Sequence, residues 1–264
     1  MPVNAFDDLA PAYDAQFTHS PVGKALRDAV WSRLDGAFGR SDRVLELGCG
    51  TGEDAVHLAH RGVRVVATDA SCRMIELARS KAQRDSCSGA IEFHCVAMES
   101  LATCLDGEPF DGVLSNFGAI NCARNLAGLV AQVAARIVPG GRLVWVIMGR
   151  HVPWEWIWYL LRGEWRLAGR RLRAEGVPWR GLTISYPTPS EVAAVLRPYF
   201  AVRRVTGLGI VLPPTYASGW LARAPRTMRV LSSLEALAQK SSLLARVADH
   251  YIVEATRRSA NSRP

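Results

Sequence analysis

The 264-residue sequence has no run of about 18 apolar residues, so no transmembrane helix is expected. Its opening residues (M-P-V-N-A-F-D-D) do not pair a basic stretch with an apolar one, and no leader peptide is visible. Cys49, Cys72, Cys87, Cys95, Cys104 and Cys122 include no C-x-x-C pair and are not spaced with histidine as zinc ligands are. No metal is therefore expected. Several of these cysteines lie in segments that read as core, which favours reduced thiols in a cytoplasmic protein. Internal repeats and low-complexity segments are missing too. The length suits one sizeable α/β domain with elaborations and leaves little room for a second full domain.

Acidic residues are scarce in one half only. Residues 1–150 hold 15 Lys and Arg against 17 Asp and Glu, whereas residues 151–264 hold 17 against 7. A basic half can face nucleic acid, anionic lipid or an acidic partner, or it can be a set of solvated arginines.

The most informative stretch is V-L-E-L-G-C-G-T-G over 44–52. It reads as a buried strand, a glycine-rich turn and the start of a helix over 53–60. Glycines at 48, 50 and 52 let the backbone turn tightly and approach a ligand. A dinucleotide fingerprint would place a small residue three positions after its second glycine; here that position is Glu53, followed by Asp54. Two carboxylates at a helix N-terminus disfavour a pyrophosphate there and favour a cationic ligand such as S-adenosylmethionine.

From this point the chain resembles the class I S-adenosylmethionine-dependent methyltransferases of the small-molecule type. V-R-V-V-A-T-D over 63–69 is similar to the family's second strand, ending on the acid that takes both ribose hydroxyls, a role the resemblance gives to Asp69. F-D-G-V-L-S-N-F over 110–117 is similar to the fourth strand and its end loop, and V-P-G-G-R-L over 138–143 to the turn before the fifth. The stretch Phe6 to Asp14 resembles the leading helix of small-molecule members. The resemblance puts Glu46 near the methionine end of the cofactor. It also implies binding roles for Gly48, Cys49, Gly50, Gly52, Ala70, Met74, Ala97, Met98, Glu99, Ser115 and Asn116. One departure stands out: the acid that often holds the adenine amino group is replaced by Ala97, so backbone groups near Met98, or Glu99, would take its place.

The implied fold is a doubly wound, mostly parallel seven-stranded α/β sheet of Rossmann-like type. It would carry a lid after the fifth strand and another insertion between the last two. The expected organisation is N-terminal helices over 1–42, a cofactor-binding core over 43–149 and a lid over 150–187. The sheet would finish over 188–258, around a second insertion at 207–249, with a loose tail over 259–264. Periodicity supports this order. Val22, Leu26, Val30 and Leu34 mark a helix before the core, and Leu126 to Ile137 another, ended by Pro139. Thr188-Pro-Ser-Glu191 is a capping box. His151 to Arg173 reads as one helix with Trp154, Trp158 and Trp165 on an apolar side and arginines around the rest. In open α/β sheets ligands sit beyond the carboxyl ends of the parallel strands, so both insertions and the N-terminal helix should converge over the cofactor.

Methyl transfer from a sulfonium needs alignment, exclusion of water and, for some acceptors, a base. His151, His250 (beside Asp249), Tyr13 and Asn116 are the candidate catalytic residues; Tyr186 and Tyr216 are candidates for the chamber wall. His57 and His60 are expected to face solvent. The tryptophan-rich segment suits a lid over a small, apolar or aromatic metabolite, and it leaves open a peripheral membrane contact through 154–173. Competing readings are a methyltransferase acting on RNA or on a membrane-associated, quinone-like lipid, and a non-catalytic cofactor-binding regulator. Nucleic acid is disfavoured: the adenine-methylating tetrad is replaced by S-N-F-G at 115–118, and Cys122 follows Asn121 where a nucleophilic cysteine would follow proline. Oligomeric state is open.

Overall fold

The computed structural model describes residues 5–101 and 107–259. Seven strands form one sheet in the order β3-β2-β1-β4-β5-β9-β8. They are β1 (Arg43–Leu47), β2 (Arg64–Asp69), β3 (Ile91–Cys95), β4 (Phe110–Ser115), β5 (Ile137–Met148), β8 (Phe200–Leu208) and β9 (His250–Arg257). Strands β1 to β5 pair in parallel, and β9 runs antiparallel to both β5 and β8. This is the doubly wound sheet that the sequence implies.

Helices cover both faces. On one lie α1 (Pro21–Ala37), α2 (Glu53–His60) and α3 (Cys72–Arg84). Val22, Leu26, Val30 and Leu34 of α1 pack there on Val44, Val65 and Val144 of the sheet. On the other lie α4 (Leu126–Ala134) and α6 (Pro189–Leu196), whose Leu129, Val133 and Val192 meet Leu45, Val113 and Trp145. The strand order reverses between β1 and β4, which opens a crevice beyond their carboxyl ends. The capping box at Thr188 is formed, with both reciprocal hydrogen bonds present.

Several details differ from the sequence reading. The segment 151–173 is not one helix: α5 (Pro153–Leu160) stops in a turn at Gly163, which has φ 71°, before a short helix at Trp165–Ala168. Helical periodicity runs on across this break because the turn spends only a few residues. A hairpin follows, β6 (Val177–Trp179) with β7 (Leu182–Ile184). Helix α4 ends at Ala134, not Ile137, and Pro139 falls inside β5 where the register with β4 slips. A proline is tolerated in a strand at such an irregularity. Strand β8 continues to Leu208, so the second insertion leaves the sheet later than 207; it contains α7 (Pro225–Ala238). His57 does not simply face solvent: its ring stacks on Trp31 at 4.1 Å and its Nε2 lies 2.7 Å from Asp35.

The reading of all thiols as reduced is also corrected. Cys72 and Cys95 form a disulfide, with Cα atoms 5.1 Å apart. The two are 23 residues apart in sequence and meet because β2 and β3 are neighbours whose carboxyl ends lie side by side. Cys104 lies outside the described residues. Among the described residues no helix is long and apolar enough to cross a membrane.

Candidate active site

The glycine turn follows β1 and is held from behind by β2. Asp69, the last residue of β2, accepts from Gly50 N at 2.9 Å with one carboxylate oxygen and from Ser71 N at 2.8 Å with the other. Burial raises its pKa above the usual carboxylate value, against the pull of those backbone donors. A Cβ at Gly48 would come within 2.3 Å of the Ala119 Cβ, so that glycine is required by the chain packed behind it. At Gly50, with φ 53°, a Cβ would meet nothing within 4 Å. The middle of the turn therefore faces open space, as a turn that receives a ligand must.

Glu46 lies beneath that space, on β1. It is 1 % exposed, and its Oε2 has no hydrogen-bond partner among the described residues. Burial, reinforced by Asp54, pushes its pKa well above the usual range. An acid kept out of water beside a vacant-backed glycine turn suits a ligand that brings a cationic donor, and the ammonium and sulfonium of S-adenosylmethionine fit that demand.

The acids that open α2 behave differently from the sequence argument. Asp54 is buried and accepts from Arg27 Nη1 at 2.8 Å, Trp31 Nε1 at 2.7 Å and Asn116 Nδ2 at 2.8 Å. Glu53 pairs with Lys81, which also donates to Asp14 at 2.8 Å and Thr51 at 3.2 Å. Asp54 has Arg27 and Glu53 shares Lys81 with Asp14, so both acids of this helix end are already engaged by cations. The preference for a cationic ligand rests instead on Glu46 and Asp69. Asp14 also accepts from Thr51 at 2.6 Å, which latches the N-terminal segment onto the glycine turn. Burial alone would raise the Asp14 pKa, but the donors Lys81 and Thr51 bring it below the usual value.

At the end of β4 the polar side chains are occupied. Ser115 donates its hydroxyl to Leu47 O at 2.8 Å, and Asn116 accepts from Phe117 N at 2.8 Å while donating to Asp54. Both side chains are thus engaged within the protein at the mouth of the crevice where the sequence reading places them. Phe117 takes φ 44°, a left-handed conformation that costs a bulky residue energy. It places the ring edge-on to Phe17 at 4.6 Å and to His250 at 5.7 Å, with the Arg27 guanidinium 5.0 Å from its centre. Tyr13 is next to Phe17, at 5.9 Å, and burial pushes its pKa up to about 12.

A chain of ion pairs joins the two insertions behind His250. Glu155 of α5, 1 % exposed, accepts from Arg170 at 2.9 Å and Arg171 at 2.7 Å. Arg171 continues to Asp249 at 2.9 Å, and His250 Nδ1 lies 3.2 Å from the other Asp249 oxygen. Burial would raise the Asp249 pKa, but His250 and Arg171 hold it below the usual carboxylate range. Tyr216 donates to Glu155 at 3.2 Å, Trp154 donates to Val211 O at 2.9 Å, and Arg171 lies 5.1 Å from the Tyr186 ring centre. Arg170 and Arg171 are thus internal cations and not part of a solvated face.

Of the other expected residues, His151 stands edge-on to Trp156 at 6.3 Å. Cys49 and Met74 are buried; Ala70 is exposed next to Asp69. Ala97 and Met98 are half-buried beyond β3, and Glu99 accepts from Arg124 N at 3.4 Å. Trp165 is 66 % exposed and does not pack over a chamber. Sequence reasoning missed Arg27, Lys81, Glu155 and Arg171. The available signal was a charged residue inside or beside an apolar helical stripe, as Arg27 is beside Leu26 and Val30. A cleft of about 370 Å³ lined by Ser32, Arg142, Arg203 and Glu254 opens at the amino ends of the strands, remote from the glycine turn. Among the described residues no group of three His, Cys, Asp or Glu is placed to hold a metal ion.

Residues 44–141 match the family model described as a methyltransferase domain. A demethylmenaquinone methyltransferase of Mycobacterium sp. (strain KMS) is 36 % identical over 143 residues, covering 53 % of this chain and 56 % of that protein. A tRNA 5-carboxymethoxyuridine methyltransferase of Escherichia coli (strain K12) is 30 % identical over 99 residues, or 36 % of this chain and 38 % of that protein. The chain thus spans about half or less of the length of these relatives. A solved S-adenosylmethionine-dependent methyltransferase from Mesorhizobium loti shares the fold, with a TM-score of 0.57 over 91 % of this chain and 99 % of that one at 17 % identity. The matched segment contains the glycine turn, Glu46 and Asp69; residues 44–141 are similar to a methyltransferase domain, and the sheet has the fold of the solved S-adenosylmethionine-dependent methyltransferase.

Proposed function

We propose that the protein transfers a methyl group to a small, apolar, hydroxylated ring of quinol type. The observation that carries the reading is the buried Glu46 carboxylate with a free oxygen under an open glycine turn, near an aromatic cluster of Phe17, Phe117 and His250. When bound, S-adenosylmethionine supplies an electrophilic methyl group. Glu46 would accept from its ammonium group, and the lone pairs of Asp69 left free by Gly50 and Ser71 would take its ribose hydroxyls. Phe17 and Phe117 offer an apolar acceptor ring edges and faces to pack against, while α5 and the Tyr216 loop keep water away.

His250 serves as the base in this reading. Asp249, held ionised by Arg171, stands 3.2 Å from Nδ1 without a formed hydrogen bond and would stabilise the imidazole once protonated, so the acceptor's hydroxyl proton has a destination. His250→Gln should then lower kcat by about 10²–10⁴-fold while cofactor affinity stays constant. The partial similarity to a demethylmenaquinone methyltransferase supports the acceptor class. The deciding experiment supplies methyl-labelled cofactor together with reduced naphthoquinones and, separately, total RNA. Label in the solvent-extractable quinol is expected; label in RNA alone would overturn the reading.

A further inference from the structure

We propose that the two insertions form a docking face for an anionic lipid bilayer. Helix α5 turns Glu155 inward and leaves Ile157, Leu160 and Leu161 in water, the last 82 % exposed; Trp165 follows at 66 %. Helix α7 repeats the arrangement. Its Met228 and Leu231 pack on the core, while Val230, Leu234 and Leu237 form an outward stripe at four- and three-residue steps, Leu237 being 61 % exposed. A surface helix ordinarily presents polar groups at such positions. Two helices that both break this rule mark an interaction face.

The charges select the partner. Over 153–173 and 219–246 the acids are folded inward with one exception. Glu155 is consumed by Arg170 and Arg171, and Glu235 accepts from the four backbone N–H groups of Gly209 to Leu212 at 2.7–3.2 Å. Glu164 is the one exposed acid in these two segments. Exposed cations surround both stripes: Arg223, Arg226, Arg229, Lys240 and Arg246 around α7, and Arg162, Arg166 and Arg173 after α5. Arg162 and Arg166 lie over the rings of Trp158 and Trp165, at 3.3 and 5.1 Å from the centroids. A second copy of the same surface would be repelled by its own charge. A bilayer with anionic headgroups complements it, with cations at the headgroups and the leucine and tryptophan side chains beneath.

The two stripes are linked through the chain between them: α5 is fastened to the loop that leads into α7. Trp154 donates to Val211 O, and Tyr216 stands 6.3 Å from Trp158 and 6.0 Å from Tyr159, so α5 is fixed to the second insertion. Both insertions rise from the sheet edge that carries the glycine turn and Phe117. An apolar acceptor would pass from the bilayer toward the aromatic cluster at Phe117 without crossing bulk water, and only this last step rests on the proposed acceptor class.

The test is sedimentation of the full chain with vesicles of phosphatidylcholine and phosphatidylglycerol in a 3:1 ratio, against pure phosphatidylcholine. Binding to the anionic vesicles, reversed by about 0.5 M salt, is expected. Arg226→Gln and Arg229→Gln should each lower the partition coefficient by about fivefold. Leu161→Asp and Leu237→Asp, both at exposed positions, should reduce it by at least tenfold with thermal unfolding unchanged. Absence of binding to anionic vesicles would overturn the proposal. So would a stable dimer at equilibrium that these leucine substitutions dissociate, since a second copy would then own the face. Binding of labelled cofactor by protein that ignores vesicles would separate failure of this inference from failure of the methyltransferase reading.

Discussion

Glu46→Gln perturbs one oxygen and tests the site from two sides. In the free protein Glu46 is buried with an unpartnered Oε2, and its pKa is raised by burial first and by Asp54 next. A raised folded-state pKa means that the native carboxyl holds a proton which the unfolded chain gives up. Stability is thus fully present below the unfolded value, near 4.5, and is lost as pH rises through the folded one. Glutamine removes that loss. Near pH 8 the variant should therefore be the more stable, by about 1.4 kcal/mol for each pKa unit by which folding raises the Glu46 carboxyl, and the difference should vanish in acid. The same substitution should weaken S-adenosylmethionine binding by about 1.5–3 kcal/mol, the worth of a charge-assisted hydrogen bond. In the wild type, a cation placed beside Glu46 lowers its pKa, so binding should release a proton. Calorimetry in two buffers of different ionisation enthalpy reads that proton directly, and thermal melts from pH 4 to 9 read the stability. A variant with wild-type stability at every pH and wild-type affinity would refute the assignment of Glu46 as an acid waiting for a cationic partner.

Lys81→Met should cost about 3 kcal/mol, because it strands Asp14 and Glu53 at a half-buried position, and should free the N-terminal segment from the glycine turn. The Asp14 pKa is depressed in the folded protein, so its stabilisation is present above the unfolded value near 3.8 and is lost as pH falls through the folded one; acid melts should show this component in the wild type and not in the variant. Reducing the Cys72–Cys95 bridge, or replacing Cys72 by Ser, should lower stability by about 3 kcal/mol for a closed loop of this length, measured by denaturant titration with and without reductant. Identical midpoints in both conditions would show that the bridge does not form in solution.

The cofactor half was legible because its constraints are local. Three left-handed glycines within five residues, an acid closing the next strand and a P-G-G turn are each dictated by backbone geometry over a short span, and the sheet order follows from strands alternating with helices. The same local rule misled at Trp165: a period of three and four residues survives the turn at Gly163, so one pattern covers two helices with different exposures. The disulfide escaped because 23 residues separate Cys72 from Cys95, and only the register of β2 against β3 brings them together.

The cluster around Phe117, His250 and the two insertions depends almost wholly on such distant pairs. Arg27 meets Asp54 across 27 positions, Lys81 meets Asp14 across 67, and Arg171 meets Asp249 across 78. The sequence marks at most one member of a pair, as Arg27 is marked by its place beside the Leu26 and Val30 stripe, and never the partner. What distinguishes them is that an unpaired buried charge is too costly to persist. The basic surplus of the second half divides on this rule. Arg170 and Arg171 are drawn inward by Glu155 and Asp249, and those acids are thereby removed from the surface. The exposed remainder becomes more one-sided than the composition suggests. The pairing that fastens the two insertions together therefore also leaves their outer surface positively charged, and a chain with its acids and arginines spread evenly over the surface could do neither.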